Sequence, residues 1–205
     1  MTEEQPRVGE QRPGGRAARV RSAVLEATSE LLGEVGYEEM SMEEVASRAG
    51  VHKTTVYRRW PTKAKLVFDV VSAQAEVHIP MPDNGNLLED LEALASDVVA
   101  NLSSDGGFQR ARTLVAAAAT SNELAEGMHA FWAHRFAAST VVIERAMERG
   151  ELAPDVDPKL IVQTLVGPIW LRTLLTGEPI STDFANHVAA LVAAGAASSS
   201  SPRKT

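Results

Sequence analysis

The sequence predicts an all-α protein, and three observations carry that expectation. Apolar residues recur at helical spacing through almost every long segment. No stretch shows the period-two alternation of a half-buried strand. Residues 41–66, SMEEVASRAGVHKTTVYRRWPTKAKL, read as two short helices joined by a tight glycine turn, with a third helix following at once. The count is about nine helices, with no internal repeat and one low-complexity run, the serine tail.

Residues 1–15 are polar, carry Pro and Gly, and read as a disordered basic arm. Arg16, Arg19 and Arg21 open the first helix, which runs to about Val35 with Val20, Val24, Ala27, Leu31 and Leu32 at helical spacing. Gly36 stops it and Tyr37 packs beneath. Ser41 caps the next helix by accepting from the Glu44 N–H, and Glu44 reaches back to the Ser41 N–H, a capping box. Val45, Ala46 and Ala49 give that helix a small apolar face. Gly50 sits where a C′ residue with positive φ is wanted, and Val51 plugs the turn.

Lys53 to Trp60 cannot be an ordinary core helix. Val56 and Trp60, four apart, face inward, while Lys53, Thr54, Thr55, Tyr57, Arg58 and Arg59 face out. Lys and Arg suit phosphates or guanine O6 and N7, Thr can touch base edges, and Tyr is a phosphate donor on a rigid ring. A cationic, hydroxyl-rich helix held by a glycine turn against a partner is the arrangement that enters a major groove. Pro61 ends it, Thr62 caps the next helix, and Lys63 lies in that helix's first turn. The expected base contacts are Lys53, Thr54, Thr55 and Arg58; Tyr57, Arg59 and Lys63 meet chiefly phosphate. Ser41, Met42 and Thr62 complete the expected DNA-binding set.

The run AGVHKTTVYRRWPTKAKLV resembles the signature of the TetR family of transcriptional repressors, roughly A-G-V-S-x-x-T-[LIV]-Y-x-[HR]-[FW]-x-[ST]-K-x-x-L. Ala49, Gly50, Val51, Thr55, Val56, Tyr57, Arg59, Trp60, Thr62, Lys63 and Leu66 match it; His52 departs, standing where the family often has a Ser cap. The resemblance covers residues from about 19 to 70. It implies three DNA-binding helices followed by six that enclose an effector pocket and form a dimer.

Net charge is −7, with 11 Lys/Arg against 10 Asp/Glu in residues 1–65 and 9 against 17 beyond. The boundary after the helix-turn-helix is therefore also an electrostatic one, and the acidic part would repel DNA. The expected divisions are the arm 1–15, a DNA-binding domain 16–65, a ligand-binding and dimerisation domain 66–197, and a disordered tail 198–205. Without cysteine there is no disulfide framework or thiolate metal site. No signal peptide or bilayer-length apolar run is visible, and a cytoplasmic location is expected.

Beyond the loop Ile79–Asn86 come helices over Leu87–Leu102, Phe108–Thr120 and Asn122–Arg149, the last closed by Gly150. Asp157 caps a helix from Pro158 to about Leu175, which Gly167-Pro168 should kink or break, and Thr182–Ala197 is the last. His129 and His134 are five apart, a poor metal pair. Glu89, Asp90 and Glu92, and likewise Glu144, Glu148 and Glu151, read as exposed helix faces, so neither a metal, a cofactor nor an enzyme is expected.

Aromatic residues stand out in this half. Phe131, Trp132, Phe136 and Trp170 are the expected effector contacts, the effector being a small apolar or aromatic molecule. Ile161, Leu165 and Ile169, with Phe184, Val188, Leu191 and Val192, make apolar stripes on the last two helices and are the expected homodimer interface. The expected function is a ligand-responsive repressor that binds a palindromic double-stranded operator as a dimer. The alternative is a DNA-binding regulator or architectural protein without small-molecule control.

Overall fold

The computed structural model describes residues 15–104 and 106–199, so all but the last residue of the expected arm and most of the expected tail lie outside it. The helices are α1 Arg16–Glu34, α2 Gly36–Glu39, α3 Met42–Arg48, α4 Lys53–Arg59, α5 Lys63–His78, α6 Leu87–Ser103, α7 Gly107–Ala118, α8 Asn122–Glu148, α9 Pro158–Leu171 and α10 Thr182–Ser199. Among the described residues there is no strand, and no helix is long and apolar enough to cross a membrane. The helix beyond expectation is α2, a single turn after Gly36 that buries Tyr37 and leads to buried Met40.

Two compact units divide the chain between Val70 and Val71, inside α5. That is five residues later than the sequence suggested, because buried Leu66, Val67 and Val70 belong to the first unit. In that unit α1 contributes Val24, Ala27, Leu31 and Leu32 to the core, along with Thr28, whose hydroxyl is satisfied by donating to the Val24 carbonyl at 2.7 Å. α3 packs on both α1 and α4.

The second unit builds its core from α6, α8, α9 and α10, with Leu91, Leu94, Ile143, Leu165 and Ile169 fully enclosed. Burying each such side chain contributes about 1.5–3 kcal/mol before entropy is counted. Asn86 caps α6 through the Glu89 N–H (2.9 Å), and Asp157 caps α9 through the N–H groups of Lys159 and Leu160 (2.9 and 3.2 Å). Pro168 does not break α9, which runs on to Leu171 and then widens into a π-helical turn, Arg172–Thr176. Thr173 in that turn is buried and donates to the Ile169 carbonyl at 2.8 Å.

Asp90 corrects the sequence reading. Instead of lying on an exposed face it is fully buried, accepting from the Asn84 N–H (2.6 Å) and from Arg149 Nη2 (3.2 Å). Arg149 also holds Glu151 through Nε, and Glu151 accepts from the Leu87 N–H at 2.7 Å. The network ties the start of α6 to the end of α8.

Two expectations follow. Burial alone would raise the Glu151 carboxyl, but the Leu87 N–H and the Arg149 guanidinium outweigh it and hold the pKa below its usual 4.5. A depressed folded pKa gives stability that is complete above 4.5 and is lost as pH falls through the lower folded value. Acid unfolding of Glu151→Gln followed by circular dichroism should therefore show a flatter limb below pH 4.5 than the parent. Trp60→Ala, which empties a site only 1% exposed, should cost about 3–5 kcal/mol by thermal unfolding of the first unit.

Candidate nucleic-acid interface and aromatic cluster

α4 is held in place by its surroundings. Val56 is its one buried side chain, and a seven-residue helix does not form alone. The turn before it is fixed by two bonds, Val51 N–H to Ala46 (3.0 Å) and Gly50 N–H to Ser47 (3.1 Å). This is the full Schellman pattern, and it places Gly50 at φ +63°, where a side chain would be strained. Ser41 accepts from the Glu44 N–H at 3.1 Å, and the Glu44 carboxylate turns back to the Ser41 hydroxyl (3.5 Å) rather than to its N–H.

His52 caps α4 in place of the usual serine. Its Nδ1 accepts from the Thr54 N–H at 3.4 Å and lies 2.9 Å from the Thr54 hydroxyl. An amide can only donate, so Nδ1 is the acceptor in that bond. At the other end Trp60 is buried, and its indole N–H donates to Asp69 Oδ2 at 2.9 Å. Asp69 in turn lies 3.8 Å from Arg21 on α1.

The outward face is as read: Lys53, Thr54, Tyr57, Arg58 and Arg59 are exposed and Thr55 is half-buried. Arg59 also lies over the Trp60 ring, 5.3 Å from its centroid. The Tyr57 hydroxyl donates to Glu43 on α3 (3.2 Å), a neighbour that sequence spacing does not reveal. Burial raises the phenol's pKa and the Glu43 carboxylate raises it further.

Lys63 does not point at a phosphate. Its ammonium donates to the carbonyls of Tyr37 (2.7 Å), Glu38 (3.2 Å) and Met40 (3.1 Å), and sits 4.3 Å from the Tyr37 ring centroid. All three ammonium hydrogens are thus committed to the end of α2, where helix carbonyls need donors. Met42 likewise turns its side chain into the core, where it is 5% exposed. Ser41 is half-buried at its cap, and exposed Thr62 caps α5 by accepting from the Lys65 N–H (3.3 Å).

In the second unit the four expected effector residues come together. Trp132 stands at the centre, with ring centroids 5.3 Å from Phe131, 5.3 Å from Phe136 and 5.1 Å from Trp170. Phe131 and Trp170 meet or approach it edge-on and Phe136 stacks. All four are half-buried. A residue that the sequence reading passed over, Arg135, is buried one turn further along α8.

The expected dimer stripes lie mostly inward. Ile161, Leu165, Ile169, Val188 and Val192 belong to the monomer's core and cannot face a partner. Phe184 lies under the Arg172 guanidinium at 3.6 Å. Of the seven, Leu191 alone is exposed, at 75%. The sequence stripes named the buried side of each helix; the opposite side exposes Leu160 and Leu171 on α9.

An all-helical chain whose first unit presents a glycine-turned, cation-bearing helix is a helix-turn-helix regulator of transcription. Residues 24–70 match the family described as bacterial regulatory proteins, tetR family, and residues 81–192 match the tetracyclin repressor-like C-terminal domain. The chain belongs to the TetR family. It is 32% identical over 185 residues to the HTH-type transcriptional regulator AqdR of Rhodococcus erythropolis, covering 90% of this chain and 89% of that one. The HTH-type transcriptional repressor KstR of Rhodococcus jostii (strain RHA1) is 28% identical, covering 82% and 78%. The solved TetR family transcription regulator SCO0332 superposes with a TM-score of 0.76 at 31% identity, over 86% of this chain and 98% of that one. These relatives are transcriptional regulators, not enzymes.

Lys63→Ala should lower the melting temperature of the first unit, costing about 1–3 kcal/mol for the unsatisfied carbonyls. A phosphate ligand would instead contribute about one unit to the salt slope of DNA binding. Titrations at several salt concentrations should give parallel slopes for Lys63→Ala and the parent.

Proposed function

We propose that this protein is a cytoplasmic, homodimeric repressor that reads a palindromic operator through α4 and leaves it when a small molecule occupies the second unit. The observation carrying the DNA half is α4 itself: a helix with one buried residue and an outward face of Lys53, Thr54, Tyr57, Arg58 and Arg59. Lys53, Thr54, Thr55 and Arg58 take base edges, and Tyr57 and Arg59 take phosphates. Tyr57 gives up its bond to Glu43 to do so, a local cost of engaging DNA.

Two copies are needed because one short helix reads too few base pairs, and a twofold axis sets two heads about 34–36 Å apart on successive major grooves. The faces that support pairing are the exposed sides of α9 and α10. Leu160, Thr164, Gly167 and Leu171 share one side of α9, and Leu191 and Ala194 lie on α10, all exposed. A Cβ added at Gly167 would meet nothing within 4 Å, so the monomer's own packing does not require glycine there. Glycine inside a helix costs about 1 kcal/mol relative to alanine, and close approach of a second copy offsets that cost. The aromatic cluster around Trp132 supports the effector half, as a half-buried apolar surface that a planar or aliphatic body would cover.

Footprinting a selected operator with each variant tests the reading. Lys53→Ala and Arg58→Ala should each cost about 1–3 kcal/mol and relax preference at one base position. Leu191→Glu should give a monomer by sedimentation and lose the operator. Unchanged discrimination in both alanine variants would remove α4 from the groove, and a small molecule that binds tightly without releasing DNA would leave a regulator lacking effector control.

A further inference from the structure

The inference deepens the effector reading and rests on it. Phe131, Arg135, Ser139 and Val142 share one side of α8 at successive spacings of four, four and three, and Arg135 and Ser139 are only 8% and 5% exposed. A guanidinium on an apolar helix face is costly unless its donors and charge are matched. Arg135 is poorly matched. One hydrogen bond, Nη2 to the Ile79 carbonyl, is long at 3.4 Å. The charge it feels is that of Glu76, exposed on α5, and burial pulls its pKa below the usual value.

Arg149 shows the contrast, engaging Asp90, Glu151 and Asp83. Among the described residues no fully enclosed side-chain nitrogen or oxygen lacks a partner. The remaining N–H groups of Arg135 and the Ser139 hydroxyl are therefore not sealed off but keep a little contact with solvent. Trp132, at the centre of the aromatic cluster, lies one turn away on the same helix.

We propose that Arg135, assisted by the Ser139 hydroxyl, is the anion-binding group of the effector site, and that the effector is a carboxylate carrying an aromatic or aliphatic body. The guanidinium fork offers two parallel donors to a carboxylate, and the hydroxyl supplies a third. A single guanidinium that already faces Glu76 has little charge to spare, which favours a singly charged carboxylate over a doubly charged phosphate. The body of the ligand lies over Trp132 and its neighbours, with the head turned inward.

Calorimetric titration of the full-length protein with 1-naphthaleneacetate and octanoate, each against its neutral amide, tests this. Each acid should bind the parent at least about tenfold tighter than its amide. In Arg135→Met that preference should fall to within about twofold while amide affinity holds. Arg135→Lys keeps the charge but not the planar fork, and should lose about threefold or more of the preference; it serves alone if Arg135→Met does not fold. If Arg135 merely ties α8 to Ile79, the variants will melt lower with the acid preference intact, which overturns the proposal. Equal binding of acid and amide by the parent, or no binding of either acid, overturns it too. Amides that bind and release operator as well as the acids sink this proposal alone and leave the effector reading standing. Trp132→Ala that weakens none of the four probes strikes the effector reading itself.

Discussion

The first unit is organised around one constraint: α4 must show nearly all of itself to solvent and still keep one position. Val56 is the single buried residue inside it, so burial within the helix cannot hold it. Its stability comes from both ends. Before it stands the Gly50 turn with its two backbone bonds, and after it the Trp60 indole, bonded to Asp69. Lys63 then joins the start of α5 to the last carbonyls of α2. A positive charge is favourable there both as donor and against the negative end of the helix. The cationic face is thereby carried by a scaffold whose own cation is spent internally.

The second unit handles buried charge in two ways. Around Asp90 both signs are present and every short bond is made, with Arg149 and the Asn84 N–H on the carboxylate. Such a network specifies how the end of α8 meets the start of α6, because any slip leaves a buried charge unpaired. Arg145 adds to it from the surface, donating to the Pro82 carbonyl at 3.2 Å and facing Asp83 at 3.5 Å. Arg135 is buried too, but its one hydrogen bond, to the Ile79 carbonyl, is long. On the proposal above, that difference separates a fastening from a receptor within one bundle.

Much of the fold was legible because its signals are local. Ser41, Gly50, Asp157 and the apolar spacing of α1 each act within a few residues, and the family motif lies in one such stretch. The failures share a cause as well. Lys63 bonds to residues more than twenty positions earlier, and Asp90 to one nearly sixty later; neither pairing leaves a mark on spacing. Charge alone made Lys63 look like a phosphate ligand and Asp90 like a solvated acid. The stripes on α9 and α10 failed differently. α9 carries apolar residues on more than one side, and the richer face, with Leu165 and Ile169, went to the core.

Regulation by a small molecule needs less energy than these sites have available. A tenfold change in operator affinity takes about 1.4 kcal/mol, and covering one half-exposed aromatic ring is worth a comparable amount. The scarce quantity is difference, since a ligand that binds two arrangements equally shifts neither. α5 is where a difference can be expressed. Its sixteen residues contain neither Gly nor Pro, the usual sites of a sharp kink. Leu66, Val67 and Val70 belong to one unit while Ala75 packs in the core of the other. Lys63–His78 is accordingly one unbroken helix. Whatever factor a ligand takes from operator affinity, linkage requires DNA to take the same factor from ligand affinity.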